Sequence, residues 1–197
     1  MRTSILTVAV TILSVTAILI GCDNTGDYSK KESEPVKLDS ASMVRRGEYL
    51  VTVGVCDDCH SPKTMGPKGP EIDMERRLSG YPSSRPLPKF DTVMANKGIT
   101  QFNEDFTAYA GPWGVSFSAN LTGDATGAGS WPLQKFIYAI RNGKFKGDPN
   151  GRDLLPPMPW FNFKLMTDED LASIHAYLKT LKPVENVPPA PKSFSQL

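Results

Sequence analysis

The pentapeptide Cys56-Asp57-Asp58-Cys59-His60 puts two thiols and an imidazole within one helical turn of each other, and no other stretch restricts the chain so strongly. Three kinds of chemistry use such a cluster: a redox dithiol, half of a zinc site, or an anchor for haem. A dithiol of the thioredoxin kind needs its Cys-x-x-Cys at a helix start in a strand-helix-strand setting that depresses the thiol pKa. No alternating strand pattern flanks this one. Structural zinc takes four Cys or His ligands, and beyond this cluster only His175 remains, with no second ligand near it. Covalent haem needs two thiols for thioethers, an adjacent imidazole for iron and an exported chain. The thiols and imidazole are present, and the N-terminus supplies the third condition.

The chain opens with Arg2 and a mostly apolar, uncharged run from Ile5 to Ile20 that ends in Gly21-Cys22. This is the layout of an export signal. The run is shorter than the roughly 18 apolar residues expected of a membrane span and is broken by Thr and Ser. Its end, "LIGC", resembles the lipobox of bacterial lipoproteins, which implies that Cys22 is acylated and becomes the mature N-terminus. The stretch that follows, "DNTGDYSKKESEPVK", is too polar to fold and reads as a tether. The expected organisation is a signal over 1–21, a tether over 22–39, one domain over 40–188 and an extended tail over 189–197. Several acyl chains hold a protein on a membrane where one would not. The expected location is thus the periplasmic side of a bacterial membrane.

With Cys22 assigned to lipid, Cys56 and Cys59 are the remaining pair of three cysteines. Loss of Arg2 with the signal lowers Lys plus Arg from 22 to 21 against 21 Asp plus Glu. A near-neutral chain offers no basic field for nucleic acid. The mature length suits one core, and a single Cys-x-x-Cys-His indicates a single haem.

Helical periodicity predicts three main helices. "DSASMVRRGEYLVTVGV" carries Val44, Leu50, Val51 and Val53 behind an Asp39 or Ser40 cap and leads directly into Cys56. "SWPLQKFIYAIRNG" has Ser130 as the expected cap, Leu133, Phe136, Ile137 and Ile140 on one face, and Gly143 as a stop. "TDEDLASIHAYLKTLKP" has Thr167 as cap, acids in the first turn and a stripe of Leu171, Ile174, Leu178 and Leu181. The fold class expected is all-α with long loops. The Pro/Gly-rich passage from Ser61 to about Gly129 needs something to hold it, and a large apolar cofactor would serve.

At this point "RRGEYLVTVGVCDDCHSP", "WGVSFSANLTGDATGAGSWPLQKFIYAIRNG", "LLPPMPW" and "MTDEDLASIHAYLKTLKP" together give the chain, from about Met43 to Pro188, a family likeness. It resembles monohaem bacterial class I c-type cytochromes, and in particular the cytochrome c domains that serve as electron-accepting subunits of membrane-associated dehydrogenases. The resemblance implies the cytochrome c fold, with the first and last helices crossing beside one haem c. It also implies covalent attachment at Cys56 and Cys59 and iron ligation by His60.

A sixth ligand must come from elsewhere. Of seven methionines, Met1 leaves with the signal, Met43 and Met166 sit beside helix starts, Met65 follows His60 too closely, and Met74 and Met94 lie in polar surroundings. Met158 in "LLPPMPW" lies between prolines that fix the backbone and remove amide donors, so its thioether can be presented from a rigid extended loop. The resemblance places the ligand methionine there too. His175 is the rival, although a His beside an apolar stripe reads more readily as a hydrogen-bonded structural group. Gly47 and Tyr177 are expected to meet where the helices cross. Trp113, Trp131, Arg141 and Arg152 are candidates to cover or bond the propionates, Asp57 and Asp58 read as solvated fillers, and Asn120-Leu121-Thr122 reads as a turn despite its sequon.

The expected function is electron transfer through a six-coordinate His/Met haem. The chain would be a membrane-tethered carrier or cytochrome subunit, and not itself an enzyme, with a dehydrogenase, quinol-oxidising complex or terminal oxidase as redox partner. The alternative is a peroxidase-like or ligand-sensing haem lipoprotein with a displaceable sixth ligand.

Overall fold

The structure, a computed structural model, describes residues 39–196. The signal, Cys22 and nearly all of the expected tether lie outside the described residues. Helix α1, Ser40–Val53, starts where the Asp39 carboxylate accepts a hydrogen bond from the Ser42 amide at 2.7 Å, satisfying an amide that has no partner within the helix. It does not run straight into the cysteines. Gly54 and Val55 intervene, and Val55 takes a left-handed conformation with φ of 51°, a costly choice for a β-branched residue. That corner redirects the chain into α2, Cys56–His60.

The passage after α2 is not structureless. An antiparallel hairpin pairs β1, Lys63–Gly66, with β2, Gly69–Ile72. After α3, Thr92–Asn96, a three-stranded antiparallel sheet joins β3, Gln101–Phe102, β4, Ala108–Gly111, and β5, Gly114–Phe117. These strands have two to four residues, too short for period-two alternation to announce them. The extended closing segment pairs Lys192 with Val115 at the outer edge of β5. Asn186 ties the same segment to the passage, its amide donating to the carbonyls of Ser79 at 2.7 Å and Tyr81 at 2.9 Å. Hydrogen bonds therefore supply order that the sequence reading assigned to a cofactor.

Helix α4, Leu133–Asn142, begins after Pro132 without a side-chain cap. Ser130 belongs instead to a preceding 3-10 turn, where its hydroxyl donates to the Gly127 carbonyl at 2.8 Å. Gly143 ends α4 in the left-handed region, as a C-terminal glycine does. A short helix α5, Trp160–Phe163, precedes α6, Asp168–Leu178, which Thr167 caps through the Asp170 amide at 3.1 Å.

Helices α1 and α6 cross at Gly47. A Cβ on Gly47 would lie 1.9 Å from the Ser173 carbonyl oxygen and 2.8 Å from the Tyr177 Cβ, so only glycine permits this approach. The Arg46–Asp170 ion pair, at 3.0 Å, joins the same two helices. Around the crossing, Val51, Leu78, Ala128, Phe136, Tyr177 and Leu178 form the core. Among the described residues no helix is long and apolar enough to cross a membrane.

Candidate functional site

The backbone corner at Gly54-Val55 sets Cys56 against an apolar cavity. Leu50 and Val51 of α1, Phe136 and Ile140 of α4, and Leu171, Ile174 and Leu178 of α6 line it, together with Phe163, Met166 and Met158 from the α4–α6 connection. About 510 Å³ of atom-free space lies among these residues, open solvent included. Cys56 and Met158, far apart in sequence, thus line the same cavity. Cys59 and His60 stand further along α2 and are not among its lining residues.

The loop that carries Met158 is tied twice on the N-terminal side of that residue. Lys144 pairs with Asp153 as an isolated bridge and as an ion pair at 2.7 Å, and the Ser116 hydroxyl donates to the Pro156 carbonyl at 2.7 Å. Prolines on both sides of Met158 remove amide donors, while its own amide donates to the Leu155 carbonyl at 3.2 Å, so this turn and the outside ties fix it together.

His60 is half-buried, and its Nδ1 lies 2.8 Å from the Ala119 carbonyl oxygen. Only a protonated Nδ1 can donate to that oxygen, which leaves Nε2 as the ring's lone-pair nitrogen. Burial lowers the His60 pKa, partly offset by the Ala119 bond and Asp57, and keeps the ring neutral. His175 is arranged the other way: it is buried, and its Nε2 lies 2.8 Å from the Trp131 carbonyl oxygen. The nitrogen best placed to reach outward is already engaged, so His175 serves packing between α6 and the turn before α4.

Cys56 and Cys59 form no disulfide. Burial, reinforced by the charges of Asp57 and Cys59, pushes the Cys56 thiol up to about 11. A catalytic dithiol needs the opposite shift. Among the described residues no cluster of three or more His, Cys, Asp or Glu could hold a metal, so a structural zinc site finds no ligand set there. An apolar cavity lined by a thiol and a thioether, with a neutral imidazole whose Nε2 is free four residues on from that thiol, suits a flat apolar cofactor carrying iron.

Asp57 is no solvated filler. Arg77 grips its carboxylate with two hydrogen bonds, 2.9 Å and 2.7 Å, and donates a third, at 2.6 Å, to the Tyr177 hydroxyl. The Ser61 hydroxyl donates to the same carboxylate at 2.6 Å and accepts from the Leu78 amide at 2.9 Å. Burial pushes the Asp57 carboxyl up, and these bonds with the Arg77 charge more than offset it, so the net shift is downward. Sequence reasoning missed this network, because nothing local marks Arg77 as the partner of Asp57.

The remaining candidates are occupied elsewhere. Arg141 pairs with Asp168 at 2.6 Å and donates to the Lys164 carbonyl. Arg152 stacks on the Phe145 ring at 3.8 Å. Trp113 donates to the Ser116 hydroxyl at 3.2 Å, and Trp131 packs against the core. Asn120 is buried, donating to the Val184 carbonyl at 2.8 Å and accepting from the Thr122 amide at 2.9 Å, so it cannot accept a glycan.

Comparison with known proteins decides the family likeness. Over 137 residues the chain is 31% identical to the gluconate 2-dehydrogenase cytochrome c subunit of Pantoea cypripedii, covering 69% of this chain and 22% of that protein. The chain is a relative of dehydrogenase cytochrome c subunits. The fructose dehydrogenase cytochrome subunit of Gluconobacter japonicus is 38% identical over 95 residues, 47% of this chain and 18% of that one. An alcohol dehydrogenase (quinone) cytochrome c subunit from Gluconobacter oxydans is 25% identical over 145 residues, 73% of this chain and 22% of its own length. This cytochrome relative therefore spans about a fifth of the length of each of these proteins. No protein-family model matches it.

Proposed function

We propose that the chain is an electron carrier built on the cytochrome c fold, with one haem c held by Cys56 and Cys59 through thioethers and by His60 and Met158 as axial ligands. The observation that carries this reading is that Cys56 and Met158 line the same apolar cavity, with the His60 tautomer set so that Nε2 is free. Bound there, the haem supplies a one-electron ferric/ferrous couple.

The chain's own residues do the rest. The Ala119 carbonyl orients the imidazole and raises its donor strength, as partners behind a ligating histidine do. Leu, Ile and Phe side chains of α1, α4 and α6 exclude water, which limits the cost of changing charge at the centre. Ser116, Lys144 and Asp153 steady the loop from which Met158 presents its sulfur. Were His60 and Met158 both to hold the iron, no position would be left for a substrate, and the chain would pass electrons without making bonds.

The donor we infer is a dehydrogenase subunit, with a quinol-oxidising complex or terminal oxidase as further partners. Cys22 would carry the lipid that keeps the domain at the periplasmic face of a membrane. Attachment is tested directly: haem is expected to remain with the polypeptide through denaturation and acid-organic extraction, and its release overturns the reading. Labelling with a radioactive fatty acid is expected to mark the wild type and not Cys22→Ser; an unlabelled wild type removes the lipid anchor.

A further inference from the structure

Lys63, the first residue of β1, turns back under α2. Its ammonium donates to the carbonyl oxygens of Asp58 at 2.7 Å, Asp105 at 3.0 Å, Ser61 at 3.1 Å and Asp57 at 3.4 Å. Three of these belong to α2 and the residue that follows it; the Asp57 carbonyl also accepts from the Ser61 amide at 3.1 Å, whereas a helix end leaves its last carbonyls without amide partners. A cation there also complements the negative end of the helix. An ammonium, with three donors around one point charge, fits such a cage better than a planar guanidinium. The cage is closed from the far side by Asp105, which is 1% exposed, accepts from the Lys63 amide at 3.3 Å and pairs with Arg85 at 2.6 Å.

We infer that Lys63 is a positioning residue of the haem site, whose caged ammonium fixes the end of the helix bearing His60 and sets a positive charge close to it. The inference rests on the proposed haem attachment. A charge fixed by carbonyls cannot swing away when the iron changes state, so it favours the ferrous form, which carries one positive charge less than the ferric. The same charge in free solvent would be screened.

The test uses the full chain matured with haem, in wild-type form and as Lys63→Met, Lys63→Arg and Asp105→Asn, titrated in an optically transparent electrochemical cell. At the wild-type midpoint, Lys63→Met is expected to lower the ferrous-to-ferric ratio roughly five- to tenfold, the size of a charge effect across a partly buried site. Lys63→Arg, which keeps the charge, is expected to return the ratio to within about twofold of wild type. Asp105→Asn, which removes a negative charge from the same cage, is expected to raise it. Loosening that merely admits water would lower all three, so the opposite sign separates charge from disorder. An unchanged midpoint in Lys63→Met, or a lowered one in Asp105→Asn, overturns the inference; if Lys63→Met fails to accumulate, the sign in Asp105→Asn decides alone. Haem released from the denatured wild type would instead overturn the attachment on which all this rests.

Discussion

Cys56 lies on the wall of an apolar cavity, whereas its neighbour Asp57 is gripped by Arg77 and Ser61 and, through Arg77, tied to Tyr177 of α6. The two sides of α2 are thus built from opposite materials. The apolar side is made of Leu, Ile, Val and Phe surfaces, which pack without directional demands. The polar side is a set of directional bonds that fixes where the turn stands. Such a division suits a short helix that must hold its position while the cavity beside it is filled: charge and hydrogen bonds specify geometry, and hydrophobic contact supplies binding energy.

Breaking the apolar side by removing its guest has the largest expected effect. Cys56→Ala with Cys59→Ala is expected to lose haem on extraction and to lower stability by roughly 4 kcal/mol or more, the contribution of a group bound far above its dissociation constant. The loss should fall on α4, α5 and the Met158 loop. The β-strands after α2 have their own hydrogen bonds and should keep their amide protection, which hydrogen exchange can report. Protection unchanged throughout would show that the cavity needs no guest. Next comes Met158→Ala, which keeps both cysteines and His60. It is expected to retain covalent haem, lose the weak far-red band of a sulfur ligand and lower the midpoint potential by on the order of 0.1 V or more, since axial ligands are the strongest control on it. Carbon monoxide should then bind the reduced protein quickly.

On the polar side, Arg77→Met removes one partner and leaves the Asp57 carboxylate half-buried without its cation. An expected loss of about 2 kcal/mol in chemical denaturation follows from unpaired buried charge, reduced because both groups keep some solvent contact. If the loss is no larger than that of an exposed ion pair, such as Lys182–Glu75, the bridge is not what fixes α2.

How far these two sides were legible in the sequence differs for a physical reason. The apolar side follows from periodicity: Leu171, Ile174 and Leu178 recur at helical spacing, and all three reach the cavity. Gly47 was legible too, because a glycine inside a helix facing Tyr177 has few explanations besides close approach. The polar side is made of pairings across long sequence separations, Asp57 with Arg77, Lys63 with Asp105, Asn186 with Ser79, and a single chain carries no local mark of them. The short strands were hidden for a related reason, since two to four residues hold too little alternation to register. Met166 was read as a helix-start residue, yet it lines the cavity, a position set by how α5 folds back.

A smaller effect links the polar side to pH. Because the Asp57 carboxyl is held below its ordinary value of 3.8, the stability it contributes is fully present above that value and is lost as pH falls through the lower, folded-state value. Asp105 is shifted the same way: burial raises it, and hydrogen bonds from Thr107 and Arg85 with the Arg85 charge more than offset that. Thermal unfolding of the wild type should therefore weaken below about pH 4, and Asp57→Asn should flatten part of that decline. Equal declines in the two proteins would show that Asp57 carries none of it.

The smallest expected effect tests the apolar side most closely. Met166 lines the same cavity as Met158, so it is the second thioether within reach and the natural rival for iron. Its setting argues against that role. Its amide donates to the Phe163 carbonyl at 3.0 Å, closing the turn after α5, and the next residue is Thr167, the cap of α6. The backbone at Met166 is thus committed to joining two helices, whereas Met158 closes a turn on the Leu155 carbonyl at 3.2 Å within the loop that Ser116 and Asp153 tie. Met166→Leu changes the side chain at nearly constant volume and should cost less than about 1.5 kcal/mol. The far-red band and midpoint potential should stay at their wild-type values, while Met158→Leu loses both. If the outcomes are exchanged, Met166 is the ligand, and the ties from Ser116 and Asp153 hold a loop whose methionine only packs.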